Sequence, residues 1–184
     1  MAAKTVAAPT VPFEVQKDAV VCQEAKVQGV HSIKVGQGTV IHPASLINAQ
    51  AGPIVIGSFN IIEEQVEIVN SSEVPLVIGD HNMLEVGVKV LGEGGQRMGD
   101  GNLLECRSVL PPGCSIGHGC TLGACTSLEE GEVLSDETVV VAPGLRHLEP
   151  GAREAHVQAV SKFIEVLKET LPRCHHLRKS NVKT

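Results

Sequence analysis

Residues 98–140 read MGDGNLLECRSVLPPGCSIGHGCTLGACTSLEEGEVLSDETVV, with an apolar side chain at every sixth position. These positions are Met98, Leu104, Leu110, Ile116, Leu122, Leu128, Leu134 and Val140. Upstream the same spacing recurs in triplets: Val15, Val21, Val27; Val35, Ile41, Ile47; Ile56, Ile62, Ile68; Ile78, Leu84, Val90. Two to four extra residues follow each triplet, at 33–34, 53–55, 74–77 and 96–97, so the insertions fall at one recurring corner.

A period of six excludes a helix, because 3.6 residues per turn would carry every sixth residue around the cylinder. Short strands with a bend every six residues satisfy the pattern. Three such strands form a triangular coil of 18 residues, and coils stacked about 4.8 Å apart pair their backbones in parallel ladders. The sequence therefore predicts an all-β solenoid, a parallel β-helix of hexapeptide repeats with about seven coils over residues 15–149. The period does not determine the hand of the coil.

After the solenoid the apolar spacing changes to that of a helix. The apolar face consists of Val157, Val160, Ile164, Leu167 and Leu171. Pro150 is suited to the start of this helix and Pro172 to its end, which predicts a C-terminal α-helix over residues 150–172. We expect the helix to cover a face or an end of the solenoid. Residues 1–14 form an N-terminal segment, and residues 173–184 form a basic tail that we expect to be exposed.

Composition excludes several classes of function. The chain has 184 residues, 15 Lys and Arg against 21 acidic residues, and 2% aromatic residues. A net charge of −6 disfavours nucleic acid as a partner, and the scarcity of rings disfavours base stacking. No apolar run is long enough for membrane insertion, so we expect a cytoplasmic protein. The spacing of the cysteines Cys106, Cys114, Cys120 and Cys125 predicts reduced thiols that fill the core.

Corresponding residues of successive coils are expected to form columns. Asn60, Asn82 and Asn102 occupy one such column, and their amides would pass hydrogen bonds from coil to coil. This column is interpreted as structural.

A second column carries like charges. Glu63, Glu85 and Glu105 would repel one another by about 1 kcal/mol per pair at the dielectric of water. One interpretation is a solvated corner compensated by backbone donors or by Lys89 and Arg107. The other is an acidic stripe that a basic partner recognises, which makes the three glutamates candidate partner-binding residues.

The positions of the histidines bear on whether the chain is an enzyme, because hexapeptide solenoids include acyltransferases and gamma-class carbonic anhydrases. Residues 116–120, Ile-Gly-His-Gly-Cys, look like the anhydrase segment that holds a ligand histidine, but the partner ligand five residues earlier would fall on Gly113. His31, His42, His81 and His118 take four different positions in the coil, so they do not converge on a zinc ion. The longest corner insertion is too short for an acyltransferase substrate loop. We therefore assign no catalytic residue, metal ligand or cofactor, and an enzyme of either class stays the alternative.

Several segments depart from the plain hexad pattern. They are Val40-Ile41-His42-Pro43, Ala51-Gly52-Pro53-Ile54-Val55-Ile56-Gly57, Ile62-Glu63-Glu64-Gln65, Glu85-Val86-Gly87, Lys89, Met98-Gly99-Asp100, Ile116-Gly117, Leu122-Gly123-Ala124-Cys125, Leu171-Pro172 and His175-His176-Leu177. On these residues, spread over nearly the whole chain, the protein resembles the small hexapeptide-repeat subunits at the pointed end of the dynactin complex. The corner from Glu73 to Val77 is shorter than is usual in that family.

The resemblance implies a left-handed β-helix without enzymatic activity, acting as a scaffold subunit of the cytoskeletal complex that activates dynein for microtubule-based transport. It implies dynactin subunit 5, dynactin subunit 4 and the pointed-end actin-related protein as partners, with dynein contacted indirectly. Cargo recruitment is the implied task.

Overall fold

The computed structural model describes residues 11–178 and contains twenty short strands and one helix. In chain order the strands are β1 (Phe13–Val15), β2 (Val20–Val21), β3 (Lys26–Gly29), β4 (Ile33–Val35), β5 (Val40–Ile41), β6 (Leu46–Ala49), β7 (Ile54–Ile56), β8 (Ile61–Ile62), β9 (Glu67–Asn70), β10 (Leu76–Ile78), β11 (Met83–Leu84), β12 (Lys89–Gly92), β13 (Arg97–Met98), β14 (Leu103–Leu104), β15 (Val109–Leu110), β16 (Ser115–Ile116), β17 (Thr121–Leu122), β18 (Val133–Leu134), β19 (Thr138–Ala142) and β20 (Leu145–Leu148). The helix, α1, spans Ala152–Cys174.

Successive strands join three different sheets in turn, so the chain winds around a three-sided prism. The first sheet has the order β1-β4-β7-β10-β13-β16-β18, the second β2-β5-β8-β11-β14-β17-β19-β20, and the third β15-β12-β9-β6-β3. Every pairing is parallel except that of β19 with β20. The predicted parallel β-solenoid of hexapeptide repeats with a C-terminal helix is confirmed.

The number of complete coils is about six rather than the seven expected. The third sheet ends with β15 and a single bridge from Val109 to Ser127, so the seventh coil contributes only β18 and β19. There the chain turns back at Gly144, which has a φ of 75°, and β20 runs antiparallel to β19. A positive φ is accessible to glycine without steric cost, which lets the chain reverse at this point.

The hexad side chains form the core of the prism. All of them are buried except Val27, which is half-buried, and Leu104 and Leu110 have no solvent exposure. A second inward column on the first sheet adds Ile33, Ile54 and Leu76. Each fully buried aliphatic side chain contributes about 1.5–3 kcal/mol, so the interior is a large stabilising term for the fold.

The extra residues lie where the corner was expected, between a third-sheet strand and the next first-sheet strand. The other two corners are tight turns with one residue in the left-handed region. Eight of these residues are not glycine: Asp18, Ala44, Phe59, Gln65, His81, Arg107, Cys125 and Glu137. Each such residue costs roughly 1–2 kcal/mol, a strain that the ladders on both sides impose.

The helix lies along the outside of the second sheet. Its apolar face, Val160, Ile164, Leu167 and Leu171, packs on the outward side chains Val20, Val40 and Ile61. Close approach requires glycine beneath its first turn, because a Cβ on Gly119 would lie 2.7 Å from the Arg153 Cβ. Within residues 11–178, no helix is both long and apolar enough to span a membrane.

The helix continues past its predicted end at Pro172 to Cys174. Proline in the last turn removes only its own backbone N–H, and the His175 N–H still donates to the Leu171 carbonyl at 2.8 Å. The extra turn therefore remains helical.

The segment after the helix pairs with the first coil, which no feature of the sequence predicts. Leu177 forms an antiparallel bridge with Cys22, and the Arg178 N–H donates to the Val21 carbonyl at 2.7 Å. The Arg178 guanidinium also donates to the Ala25 carbonyl at 2.6 Å. The rest of the predicted basic tail, residues 179–184, lies outside the described residues. Both edges of the second sheet are thus covered, by β20 at one end and by residues 176–178 at the other.

Candidate interaction surface

The asparagine column is an internal ladder. Asn60, Asn82 and Asn102 are fully buried at the first corner of their coils. The Asn82 backbone N–H donates to the Asn60 amide oxygen at 2.8 Å, and the Asn102 N–H donates to the Asn82 oxygen at 2.8 Å. The Cys120 N–H continues the series to the Asn102 oxygen at 2.7 Å. The predicted column is confirmed, with backbone donors rather than amides supplying most of the hydrogen bonds.

A parallel ladder on the outer side of the same corner escaped the sequence analysis. The Ser58, Asp80 and His118 backbone N–H groups donate to the Oδ1 atoms of Asp80, Asp100 and Asp136 at 2.7, 2.9 and 2.8 Å. The Asp100 N–H donates to His118 Nδ1 at 2.9 Å. The sequence pattern that could have predicted this ladder is the polar residue that recurs after glycine in the segments Ile-Gly-Ser, Ile-Gly-Asp, Met-Gly-Asp and Ile-Gly-His. His118 Nδ1 is therefore committed to the ladder.

Glu63, Glu85 and Glu105 follow β8, β11 and β14, and we call this column the acidic ridge. Because β8, β11 and β14 pair in register, the three residues stack at the second corner. The Cys106 N–H donates to Glu85 Oε2 at 2.9 Å, and the Ala124 N–H donates to Glu105 Oε2 at 2.9 Å. Each of these carboxylates is half-buried and held by the backbone of the following coil.

The compensation of the ridge charges differs in part from expectation. The backbone donors are present, but Lys89 pairs with Glu67, its neighbour in the ladder between β12 and β9, at 3.3 Å. Lys89 lies one strand beyond the corner, where its side chain points outward from the third sheet. Of the two predicted counter-ions, Lys89 is thus paired with Glu67 rather than with the ridge.

The electrostatics of the ridge are uneven along its length. Burial raises the pKa of the Glu63 carboxyl; the Glu64 and Glu85 charges add to this, while His42 opposes it. Burial also acts on Glu64, but the hydrogen bond with His42, a backbone hydrogen bond and the charges of His42 and His175 together outweigh it and lower the Glu64 pKa. His42 Nδ1 lies 2.9 Å from Glu64 Oε1. As the pH falls, the Glu63 carboxylate is therefore protonated before the Glu64 carboxylate.

The histidines and acidic side chains also bear on whether the chain can hold a metal ion. Among residues 11–178, no three His, Cys, Asp or Glu side chains are grouped so that they could hold a metal ion. His81 stacks on Phe59, with ring centroids 5.1 Å apart. His42 and His118 are engaged as described above.

The cysteines divide into two groups. Cys22, Cys114 and Cys120 are buried thiols, and burial raises the pKa of Cys22 to about 11. Cys106 and Cys125 are exposed, so the prediction that they fill the core is wrong. Both occupy outward positions of the second corner, where the hexad register places no core side chain.

Relatives of this chain are dynactin subunits. Dynactin subunit 6 of Nematostella vectensis is 36% identical over 170 residues, covering 88% of this chain and 90% of that protein. Dynactin subunit 6 of Xenopus tropicalis is 33% identical over 179 residues, covering 90% and 85%. The Dictyostelium discoideum protein of the same name is 29% identical and covers 97% and 95%. No protein-family model matches the chain.

Solved structures share the fold at low identity. A hexapeptide transferase family protein from Anaplasma phagocytophilum superposes with a TM-score of 0.76 at 15% identity, over 88% of this chain and 94% of the other. A putative acetyltransferase from Bacillus cereus gives a TM-score of 0.66 at 18% identity, over 85% and 90%. At such identities the likeness is one of architecture and carries no inference about activity.

Proposed function

The chain belongs to the dynactin subunit 6 family, and from this membership we propose that it is a non-catalytic scaffold subunit of the dynactin complex. The observation that carries the proposal is the extent of the match. Relatives that are 33% and 36% identical align over 88–90% of this chain and 85–90% of their own length. The whole solenoid is thus shared with proteins of that name, rather than a single motif.

Its place in the complex follows the same proposal. The subunit lies at the pointed end with dynactin subunit 5, dynactin subunit 4 and the pointed-end actin-related protein, in the cytoplasm on the cytoskeleton. There it supports dynein-driven transport along microtubules and the recruitment of cargo. A rigid prism supports this role, because ladders of hydrogen bonds hold its faces in fixed register and present partners with a pre-organised surface.

The acidic ridge is the proposed contact for a basic partner. Glu63, Glu85 and Glu105 support this assignment because backbone donors fix two of the carboxylates and Lys89, one of the two predicted counter-ions, pairs elsewhere. Carboxylates one coil apart suit Lys or Arg side chains along a strand or helix of the partner. Such pairs mainly raise the association rate and specificity, and salt weakens them.

A hexapeptide-repeat enzyme, either an acyltransferase or a gamma-class anhydrase, is the second candidate. Its fold is shared with transferases at 15% and 18% identity, which by itself does not argue for their activity. Native mass and metal analysis of the purified chain separate the two proposals. A homotrimer with stoichiometric zinc, or turnover of acetyl-CoA that His118→Ala abolishes, would favour the enzyme.

The test of the scaffold is co-expression of the full chain with the three named dynactin partners, followed by purification of the assembly. The ridge is tested by changing its three glutamates to Gln, because the amide oxygen still accepts the backbone N–H while the charge is lost. The matched control changes Glu93, Glu165 and Glu169, all exposed elsewhere, to Gln. We expect the ridge variant to bind about tenfold more weakly at low salt and the control to bind normally. Equal binding would dismiss the ridge and leave the scaffold intact.

A further inference from the structure

The last coil of the solenoid is unlike the rest of the surface. Four of its side chains are large, apolar and exposed: Val133 by 73%, Leu148 by 67%, Leu145 by 58% and Val141 by 49%. We call these four residues the last-coil surface. The other exposed large apolar side chains among the described residues are Val30 and Val74, at the corner between the third and first sheets, and Phe163 and Val166, on the helix. Apolar exposure concentrated in one coil is typical of an interaction site.

The same coil carries an open sheet edge. The strand β18 is the terminal strand of the first sheet and pairs only with β16 among the described residues. By contrast, β20 covers the edge of β19 in the second sheet. An uncovered edge strand offers backbone donors and acceptors to an added strand, and proteins usually shield such edges with charge or cover.

The charge of this region indicates what kind of molecule covers it. Residues 128–150 contain six acidic residues and one arginine, Arg146, a net charge of −5 out of −6 for the whole chain. Arg146 is not free, because it pairs with Glu132 at 2.6 Å. Glu129, Glu130, Asp136 and Glu149 are exposed. Like charges would repel a second copy docking end to end, whereas a basic partner is attracted.

The described ends of the chain lie at the opposite end of the prism. The Ile33 N–H donates to the Pro12 carbonyl, and Arg178 donates to Val21, so both ends sit beside the first coil. Seven coils at about 4.8 Å place the last coil roughly 29 Å away.

We propose that the last coil is a docking site for another protein, which adds an edge β-strand to β18, seats apolar side chains on Val133 and Leu148, and places Lys or Arg side chains against the acidic rim. The proposal rests on the chain being a subunit of a complex, and it identifies one surface through which that complex is joined. It is separate from the acidic ridge, which lies at the second corner of earlier coils.

The test uses the full chain co-expressed with the dynactin partners named above. The variant Val133→Lys with Leu148→Lys replaces two exposed apolar side chains with cations, which repel a basic partner. The matched control, Val74→Lys with Val166→Lys, changes side chains of similar exposure, 51% and 54%, on other surfaces. We expect the last-coil variant to lose at least about tenfold in binding to one partner and the control to assemble like the wild type. Thermal melting of both variants checks that they fold.

Hydrogen exchange on the assembled complex gives a second readout. We expect the amides of Val133–Leu134 and Leu145–Leu148 to gain protection relative to the free chain. Normal assembly of the last-coil variant, or protection confined to other surfaces, overturns this inference alone. Dimerisation of the free wild-type chain through these residues would also overturn it. So would a variant beginning at Val11 whose β18 amides, with no partner present, are less protected from exchange than those of the free wild type. A wild-type chain that joins no dynactin subunit overturns the proposed function and this inference together.

Discussion

Removing one side chain of the asparagine ladder should lower the stability of the solenoid. Changing Asn82 to Ala deletes the oxygen that accepts the Asn102 backbone N–H at 2.8 Å and the Asn102 Nδ2 at 2.9 Å. Both donors are buried, so water does not replace the lost acceptor. An unsatisfied buried donor costs about 1–3 kcal/mol, and we expect a loss of roughly 3–5 kcal/mol in the free energy of unfolding. For a chain of this length that corresponds to a fall in Tm of about 10 °C.

The assay is urea unfolding followed by circular dichroism, with the midpoint and the slope measured together. Asn48→Ala is the matched control, because within the described residues the Asn48 amide oxygen accepts no hydrogen bond, and we expect it to cost below about 1 kcal/mol. A loss under about 1 kcal/mol for Asn82→Ala, or equal losses for the two variants, would refute the view that the ladder holds the coils in register.

Four further predictions concern charge, close packing and the covered sheet edge. Because the folded-state pKa of Glu63 is raised, its contribution is fully present below about pH 4.5 and is lost as pH rises through the raised value; Glu63→Gln should therefore raise Tm at pH 7 and leave it unchanged at pH 4. Glu64 has a lowered pKa, so Glu64→Gln should lower Tm at pH 7, an effect that fades as pH falls below the folded pKa. Gly119→Ala would bring a Cβ within 2.7 Å of the Arg153 Cβ at a φ of +67°, and limited proteolysis should cut α1 faster, by a factor of about ten. Arg178→Pro removes the backbone N–H that donates to the Val21 carbonyl at 2.7 Å, so it should release residues 176–178 from the first coil and increase self-association in light scattering; an unchanged mass would contradict the covering role.

The fold was predictable because the regular six-residue spacing of apolar residues is what a solenoid core requires. A prism with a dry interior needs an apolar side chain wherever the backbone turns inward, and Leu104, Leu110 and Ile116 meet that requirement. Backbone pairing has no comparable residue signature. The antiparallel return of β20 and the bridge of Leu177 to Cys22 are made by main-chain groups, so the spacing carries no trace of them.

The candidate site was predictable in position and less so in its chemistry. The three ridge glutamates share one place in the repeat, and the ladder between coils brings them together. Lys89 was a plausible counter-ion by distance along the chain, but the register of the third sheet sets it directly beside Glu67. The exposure of Cys106 and Cys125 was missed for a similar reason. At a corner, the backbone geometry of the turn decides whether a side chain points inward or outward, whatever the polarity of that side chain.

The bridge between Leu177 and Cys22 also bears on how the protein is made. Coils can stack as soon as each emerges from the ribosome, because every parallel ladder joins segments about twenty residues apart. The edge of the first coil stays unpaired until residues about 155 positions further along the chain have been synthesised. At a synthesis rate of 5–20 residues per second, that edge stays open for roughly 8–30 s after its own translation. During that interval the nascent chain offers a bare strand to its neighbours on a polysome, and a chaperone or an early-binding subunit would act there.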